Sequence, residues 1–423
     1  MKTITNLLLA LLLCSTAYAQ TNVSGGIFSN TTWTKANSPY IVTDTIVVFP
    51  GVTLTIDPGV IVKFNSGLGL ELRGKLIAIG NANDTITFTS SLASPVPSSW
   101  RGINVVGTTN PLGLGDQVTM EYCKAEYAHY FVNLDIAYHG PYIFRHCYFA
   151  NNYQVNYDGG MPSTIFENCK FELNHTGLGG CQFDSRVSNS VFINNVNGLE
   201  GIANVDTCLF SGNTGIALSP YGSTIGCTIQ NNNIGVSCYF NSANNTFVNN
   251  NVSDNVIGVE MLSYFNEIAF TGNTICHNST YNIKLLHNNN ADLSFNCWCS
   301  SESTYIRSTI YDGYVNLAYG LVNFMPVMLS CPQIKFGIKE PQQNVLTIFP
   351  KLFPNPFSNQ LTISLADNEQ SIISLYNFRK QQILKQSFTN TTTINTEQLA
   401  EGIYFYELRN DKGIIKKGKV VKQ

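Results

Sequence analysis

Charge is scarce in this chain: Asp, Glu, Lys and Arg together make up 12% of 423 residues, about half the share of an ordinary soluble protein. No run of basic residues could neutralise a phosphate backbone, which excludes nucleic acid as a partner. Long apolar runs are missing after residue 19, so no transmembrane helix is expected in the mature chain. Helical periodicity is missing between residues 143 and 273, which excludes leucine-rich and all-helical repeats. There is no Asp-Asp pair and no Gly-His-Gly, so the sequence does not display a sugar-cleaving site of paired carboxylates.

Asn is abundant instead, and it recurs in a fixed frame of an apolar residue, two of any kind, then Asn. The frame is found at Phe149 to Asn152, Phe171 to Asn174, Phe192 to Asn195, Phe210 to Asn213, Ile229 to Asn232, Phe247 to Asn250 and Phe270 to Asn273. A fixed motif recurring about every twenty residues predicts short strands joined by loops of variable length, stacked as the coils of a parallel β-helix. All seven Asn are expected to form one buried column of amides hydrogen-bonded along the axis.

The first nineteen residues have another texture. Lys2, the apolar run Leu7 to Leu13, and Ala17-Tyr18-Ala19 before Gln20 predict a secretory signal peptide cleaved between Ala19 and Gln20. Eleven cysteines then remain for an oxidising compartment. Cys123, Cys147, Cys169, Cys208 and Cys227 recur at one coil position, five residues before the ladder Asn where that Asn is identified, and are expected to be buried free thiols. Cys297, Cys299 and Cys331 are better placed for a disulfide. No metal site is expected, because Cys297-Trp298-Cys299 puts two sulfurs on one strand face without a matching pair or a His.

Alternating strands broken by Gly and Pro-Gly turns run from Asn37 to Ser90. Gly51 to Phe64, Gly74 to Ala78, Ile86 to Ser90 and Trp100 to Ile103 resemble the opening of secreted right-handed parallel β-helix proteins. Asn296 to Ser300, Ile310 to Asp312 and Val322 to Pro326 resemble that family's closing coil, with Cys299 where the family has Gly. The expected fold is all-β: a right-handed parallel β-helix over 20–332, a linker over 333–349 and a small antiparallel β-sandwich over 350–423. Net charge divides in the same way, being −8 over residues 20–340 and +4 over 341–423.

The C-terminal strands carry the most specific motif. Phe353-Pro354-Asn355-Pro356-Phe357, Leu375-Tyr376-Asn377, Gly402-Ile403-Tyr404 and the terminal Lys419 to Lys422 resemble the C-terminal sorting domain of the type IX secretion system. The resemblance implies a Bacteroidetes-type bacterium, with the type IX machinery as partner. It implies a destination outside the cell or on the outer-membrane surface, reached through the periplasm. Pro354, Asn355, Pro356, Gly402, Tyr404, Lys419 and Lys422 are the expected signal residues.

Tyr122 to Tyr157 holds eight Tyr and three His. Tyr faces can stack on sugar rings while carboxylates and imidazoles bind hydroxyls. Tyr127, His129, Tyr130, Asp135, His139, Tyr153 and Asp158 are therefore the candidate residues of a glycan-binding site; the competing reading is aromatic stacking that only supports the coils. The expected function is a glycan-binding or adhesin-like surface scaffold without a cofactor. The alternative is a polysaccharide lyase or glycoside hydrolase, which as a lyase would use Ca²⁺.

Overall fold

The structure is a computed structural model that describes residues 20–106, 118–135, 142–158, 164–180, 185–201, 204–238, 246–263, 269–332, 351–365, 370–377, 379, 381–410 and 413–423. The expected leader and linker lie outside these residues. The chain divides into two compact units, Met1–Pro341 and Gln342–Gln423.

The first unit is the parallel β-helix. One face is a sheet of eleven parallel strands that runs from Thr31–Trp33 to Ala269–Thr271. The other two faces belong to a sheet of twenty-three strands, joined through the long strands Thr21–Ile27 and Tyr40–Val48. The second face includes Cys123–Glu126, Tyr148–Ala150 and Lys170–Glu172. The third includes Tyr130–Asp135, Gln154–Asp158 and Thr176–Gly179. The core is columnar because equivalent residues stack from coil to coil. Phe149, Phe171, Phe192 and Phe210 form one such column, with successive ring centroids 5.1, 4.3 and 4.8 Å apart.

The repeat motif codes for a corner. The apolar residue points inward from the strand, and the residue just before each Asn takes a left-handed conformation that bends the chain: Asn151, Leu173, Asn194, Gly212 and Asn231 all have φ between 56° and 71°. The Asn then lies buried in the bend. Its Nδ2 donates to a carbonyl of the preceding coil and to the Oδ1 of the next Asn, as in Asn174 to Phe149 O (3.0 Å) and to Asn195 Oδ1 (3.0 Å). Each amide therefore clamps three coils.

The single column expected from sequence is in fact two. Asn152, Asn174, Asn195, Asn213 and Asn232 line the corner between the second and third faces, and the ladder continues through Asn255 and Asn278 to Asn282. Asn250 and Asn273 line the corner between the first and second faces and continue to Asn296. Both corners use the same code, so the local motif cannot tell them apart. The second ladder extends the cysteine column. Cys123, Cys147, Cys169, Cys208 and Cys227 are buried free thiols, as expected, and among the described residues Cys238, outside the column, is a sixth. Cys169 Sγ lies 3.4 Å from the carbonyl of Phe144, a weak donor where Asn250 and Asn273 place an amide.

Two disulfides close the helix, Cys276–Cys299 and Cys297–Cys331. Cys299 has φ 56°, so it holds the left-handed turn for which the family uses Gly.

The second unit is an antiparallel sandwich. Three strands, Lys351–Phe353, Gln360–Ser364 and Thr391–Asn395, form one sheet, and four strands between Gln370 and Lys422 form the other. Phe357, Leu361, Ile363, Ile373, Leu375 and Leu408 are among the side chains buried in its core. The polar edge strand Gln382–Thr389 was not apparent from sequence.

Candidate functional site

The residue after a ladder position leaves the corner pointing outward, and there three rings stack in register. His129 and Tyr153 lie 4.9 Å apart at 12°, and Tyr153 and His175 lie 4.8 Å apart at 16°. Parallel backbone hydrogen bonds set this spacing: Gln154 N donates to His129 O (2.9 Å) and Thr176 N to Tyr153 O (2.8 Å). Beside this column, Tyr130 contacts Tyr157 with centroids 4.9 Å apart, and meets Tyr153 edge-on at 6.0 Å. Ser98, one coil earlier, holds His129 Nδ1 at 2.8 Å.

Four of the seven candidates, Tyr127, His129, Tyr130 and Tyr153, thus gather at or beside one corner. Tyr127 is the bend residue there, with φ 65°, and packs partly against the core. Asp135 and Asp158 end strands of the third face, and their side chains are not described; His139 lies outside the described residues. Other described tyrosines of the segment spread around the coil. Tyr142 is wholly buried, Tyr148 stands on the second face, and Tyr122 stacks on His146 at the other corner, 4.6 Å away. His175 and Ser98 were missed from sequence. His175 was legible, because it follows ladder residue Asn174 as Tyr153 follows Asn152.

The geometry limits the chemistry. Both faces of Tyr153 are covered by imidazoles, so it presents only its edge and hydroxyl. Tyr157 differs: it is 47% exposed, and the strand register places Gly179 at its position in the next coil, followed by Glu200. The column therefore has no side chain of its own immediately beyond Tyr157, and the Gln154 amide, which donates to Asn156 O (2.7 Å), reaches over Gly179 instead. Tyr130 and Tyr127 hydroxyls are pushed to higher pKa by partial burial, Tyr130 next by Tyr153 and Tyr127 next by Glu126, so both remain neutral hydrogen-bond donors at physiological pH.

Two carboxylates of the second face near this corner are engaged. Glu126 pairs with Lys124 at 2.9 Å, and the nearly buried Glu172 accepts from Lys170 Nζ and Tyr148 Oη, both at 2.7 Å. Burial, then the charge of Glu172, drives the Tyr148 phenol far up. These groups hold the second face together and do not present a free acid and base.

All seven residues expected to carry the sorting signal lie in the described part of the sandwich. Asn355 Oδ1 accepts from Val421 N at 2.8 Å, next to Pro354 and the cis Asn355-Pro356 bond. Lys422 reaches back to the carbonyl of Ser358 and lies over the Phe357 ring, and Gly402 pairs with it across the sheet. Tyr404 donates to Ala400 O at 2.7 Å, and Lys419 pairs with Phe405. The Pro-Asn-Pro turn and the last strand therefore form one unit.

Residues 351–423 match the family described as the secretion system C-terminal sorting domain. Over 61 residues the chain is 41% identical to Protein bark beetle of Drosophila melanogaster, a match covering 14% of this chain and 2% of that protein. Among the described residues, no helix is long and apolar enough to cross a membrane.

Proposed function

Because the chain is a parallel β-helix protein with a type IX sorting domain at its C-terminus, we propose that it is an adhesin-like scaffold whose β-helix binds a glycan. A signal peptide at residues 1–19 takes it to the periplasm, and the sorting domain directs it to the exterior or the outer surface. The observation that carries the binding reading is the exposed Tyr157, with the bare backbone of Gly179 and the Gln154 amide beside it. In this reading a sugar ring lays its apolar face on the phenol. In the same reading the Gln154 amide, Glu200 and the Tyr130 and Tyr153 hydroxyls bind its hydroxyls.

A glycan array probed with the full-length chain tests this reading. Tyr157→Ala is expected to weaken the best ligand at least about tenfold, or about 1.4 kcal/mol, with the melting temperature unchanged. Equal affinity for the variant and the parent, or no glycan retained by the parent, would overturn it.

A further inference from the structure

Four cysteines distant in sequence meet in the closing coils. Cys276 ends a second-face strand, Cys297 and Cys299 lie one coil further on, and Cys331 returns to the same place. The two disulfides are not separate. Across them, Cys299 Sγ is 3.7 Å from Cys331 Sγ, and the sulfurs of Cys297, Cys299 and Cys331 all lie within 4.8 Å of one another. His277 Nδ1 is 3.6 Å from Cys276 Sγ, and those two with Cys299 form a second group of the same size. Cys276 and Cys297 are buried, whereas Cys299 and His277 are exposed, so the cluster has a rigid floor and an open side. Folding thus supplies the matching sulfurs and the His that Cys297-Trp298-Cys299 lacks in sequence.

We propose that in its reduced form this cluster is a tetrahedral thiolate site for a zinc-class divalent cation. Cys276, Cys297, Cys299 and Cys331 are the ligands, and His277 donates a hydrogen bond to the Cys276 sulfur. Four thiolates at about 2.3 Å from a tetrahedral ion stand about 3.8 Å apart, close to the 3.7 Å between Cys299 and Cys331, and Cys276 joins the group through Cys299. Two equivalents of a dithiol supply four electrons and four protons. Both S–S bonds break to give four thiols, and the reductant leaves as two disulfides. The cation then displaces the four thiol protons to solvent. The disulfide and metal forms exclude each other, yet both fasten the same points of the closing coils.

Cobalt(II) is the probe. The full-length chain is reduced with dithiothreitol, freed of it under anaerobic conditions and titrated with cobalt. The expected result is about one ion per chain, with thiolate charge-transfer absorption and the intense visible bands of tetrahedral cobalt, all abolished by prior oxidation. Cys299→Ser/Cys331→Ser should lower affinity at least about tenfold. Cys169→Ser, which places at that position the residue Ser190 already provides one coil on, should bind as the parent does. His277→Gln should keep the stoichiometry and bind more weakly. Circular dichroism covers the case in which reduction loosens the coils: recovery of the β signal on adding cobalt supports the site, and failure to recover overturns it. Weak octahedral bands, or equal binding by the double variant, also overturn it.

Discussion

Asn213→Leu tests the ladder where both of its neighbours are intact. Asn213 Oδ1 accepts from Asn195 N (3.0 Å) and Asn195 Nδ2 (3.1 Å), while Asn213 Nδ2 donates to Phe192 O (3.1 Å) and Asn232 Oδ1 (2.9 Å). Leucine would leave the Asn195 backbone N–H without an acceptor and Asn195 Nδ2 with Phe171 O alone (3.1 Å), and would take one donor each from Phe192 O and Asn232 Oδ1. Each orphaned group costs about 1–3 kcal/mol, and added apolar burial returns about 1 kcal/mol. The net loss is then about 2–4 kcal/mol. Because stacked repeats open locally, hydrogen exchange at the Asn195 amide is the sharpest readout, alongside a denaturant melt. Its protection should fall about thirty- to several-hundredfold, following tenfold per 1.4 kcal/mol. Asn233→Leu, on the exposed side of the same corner, should shift stability by less than about 0.5 kcal/mol. Equal effects from the two substitutions would refute the reasoning.

The bends offer the opposite effect. Leu173 (φ 56°, 53% exposed) and Thr207 (φ 52°) hold left-handed conformations that Asn or Gly fills elsewhere, so Leu173→Asn and Thr207→Asn should each stabilise by about 0.5–1 kcal/mol in a denaturant melt. Burial pushes the thiols of Cys147, Cys169, Cys208 and Cys238 well above 9. They should stay unalkylated at pH 8 until the chain unfolds, as read by peptide mass spectrometry. Since the unfolded chain releases these protons first, their contribution to stability is complete below about pH 9 and declines as pH rises beyond it. A melting temperature flat from pH 8 to 11 would contradict this. Deleting residues 351–423 should leave the protein in the periplasm, and equal amounts of truncated and intact protein outside the cell would exclude a sorting role for that segment.

The β-helix was legible because its corners repeat one local code, in which an inward apolar residue and a left-handed bend precede a buried polar side chain. That economy also concealed the division of the ladder, since Phe247 to Asn250 and Phe210 to Asn213 read alike while occupying different corners. The sandwich strands were visible wherever apolar residues alternate. Gln382–Thr389 escaped notice because an edge strand buries little. Of the site, His129 and Tyr153 could be aligned by coil length, whereas the bare backbone at Gly179 depends on what the next coil lacks. His277 and Cys276 were separated from Cys299 by one whole coil, a distance that only strand register converts into contact.

The corner geometry also sets rules for how such a chain can change length. Cys147 and Asn152, Cys169 and Asn174, Ser190 and Asn195, and Asn250 and Asn255 are always five residues apart, whereas the step from one ladder Asn to the next between Asn152 and Asn278 varies from 18 to 23 residues. An inserted residue between the corners would turn the inward side chains of that strand outward and break both ladders at once. One inserted beyond the third face disturbs neither. Heritable insertions and deletions are therefore channelled into one seam along the helix, and longer changes must arrive as whole coils. Along that seam, segments of unlike length can diversify side by side on a frame that does not shift beneath them.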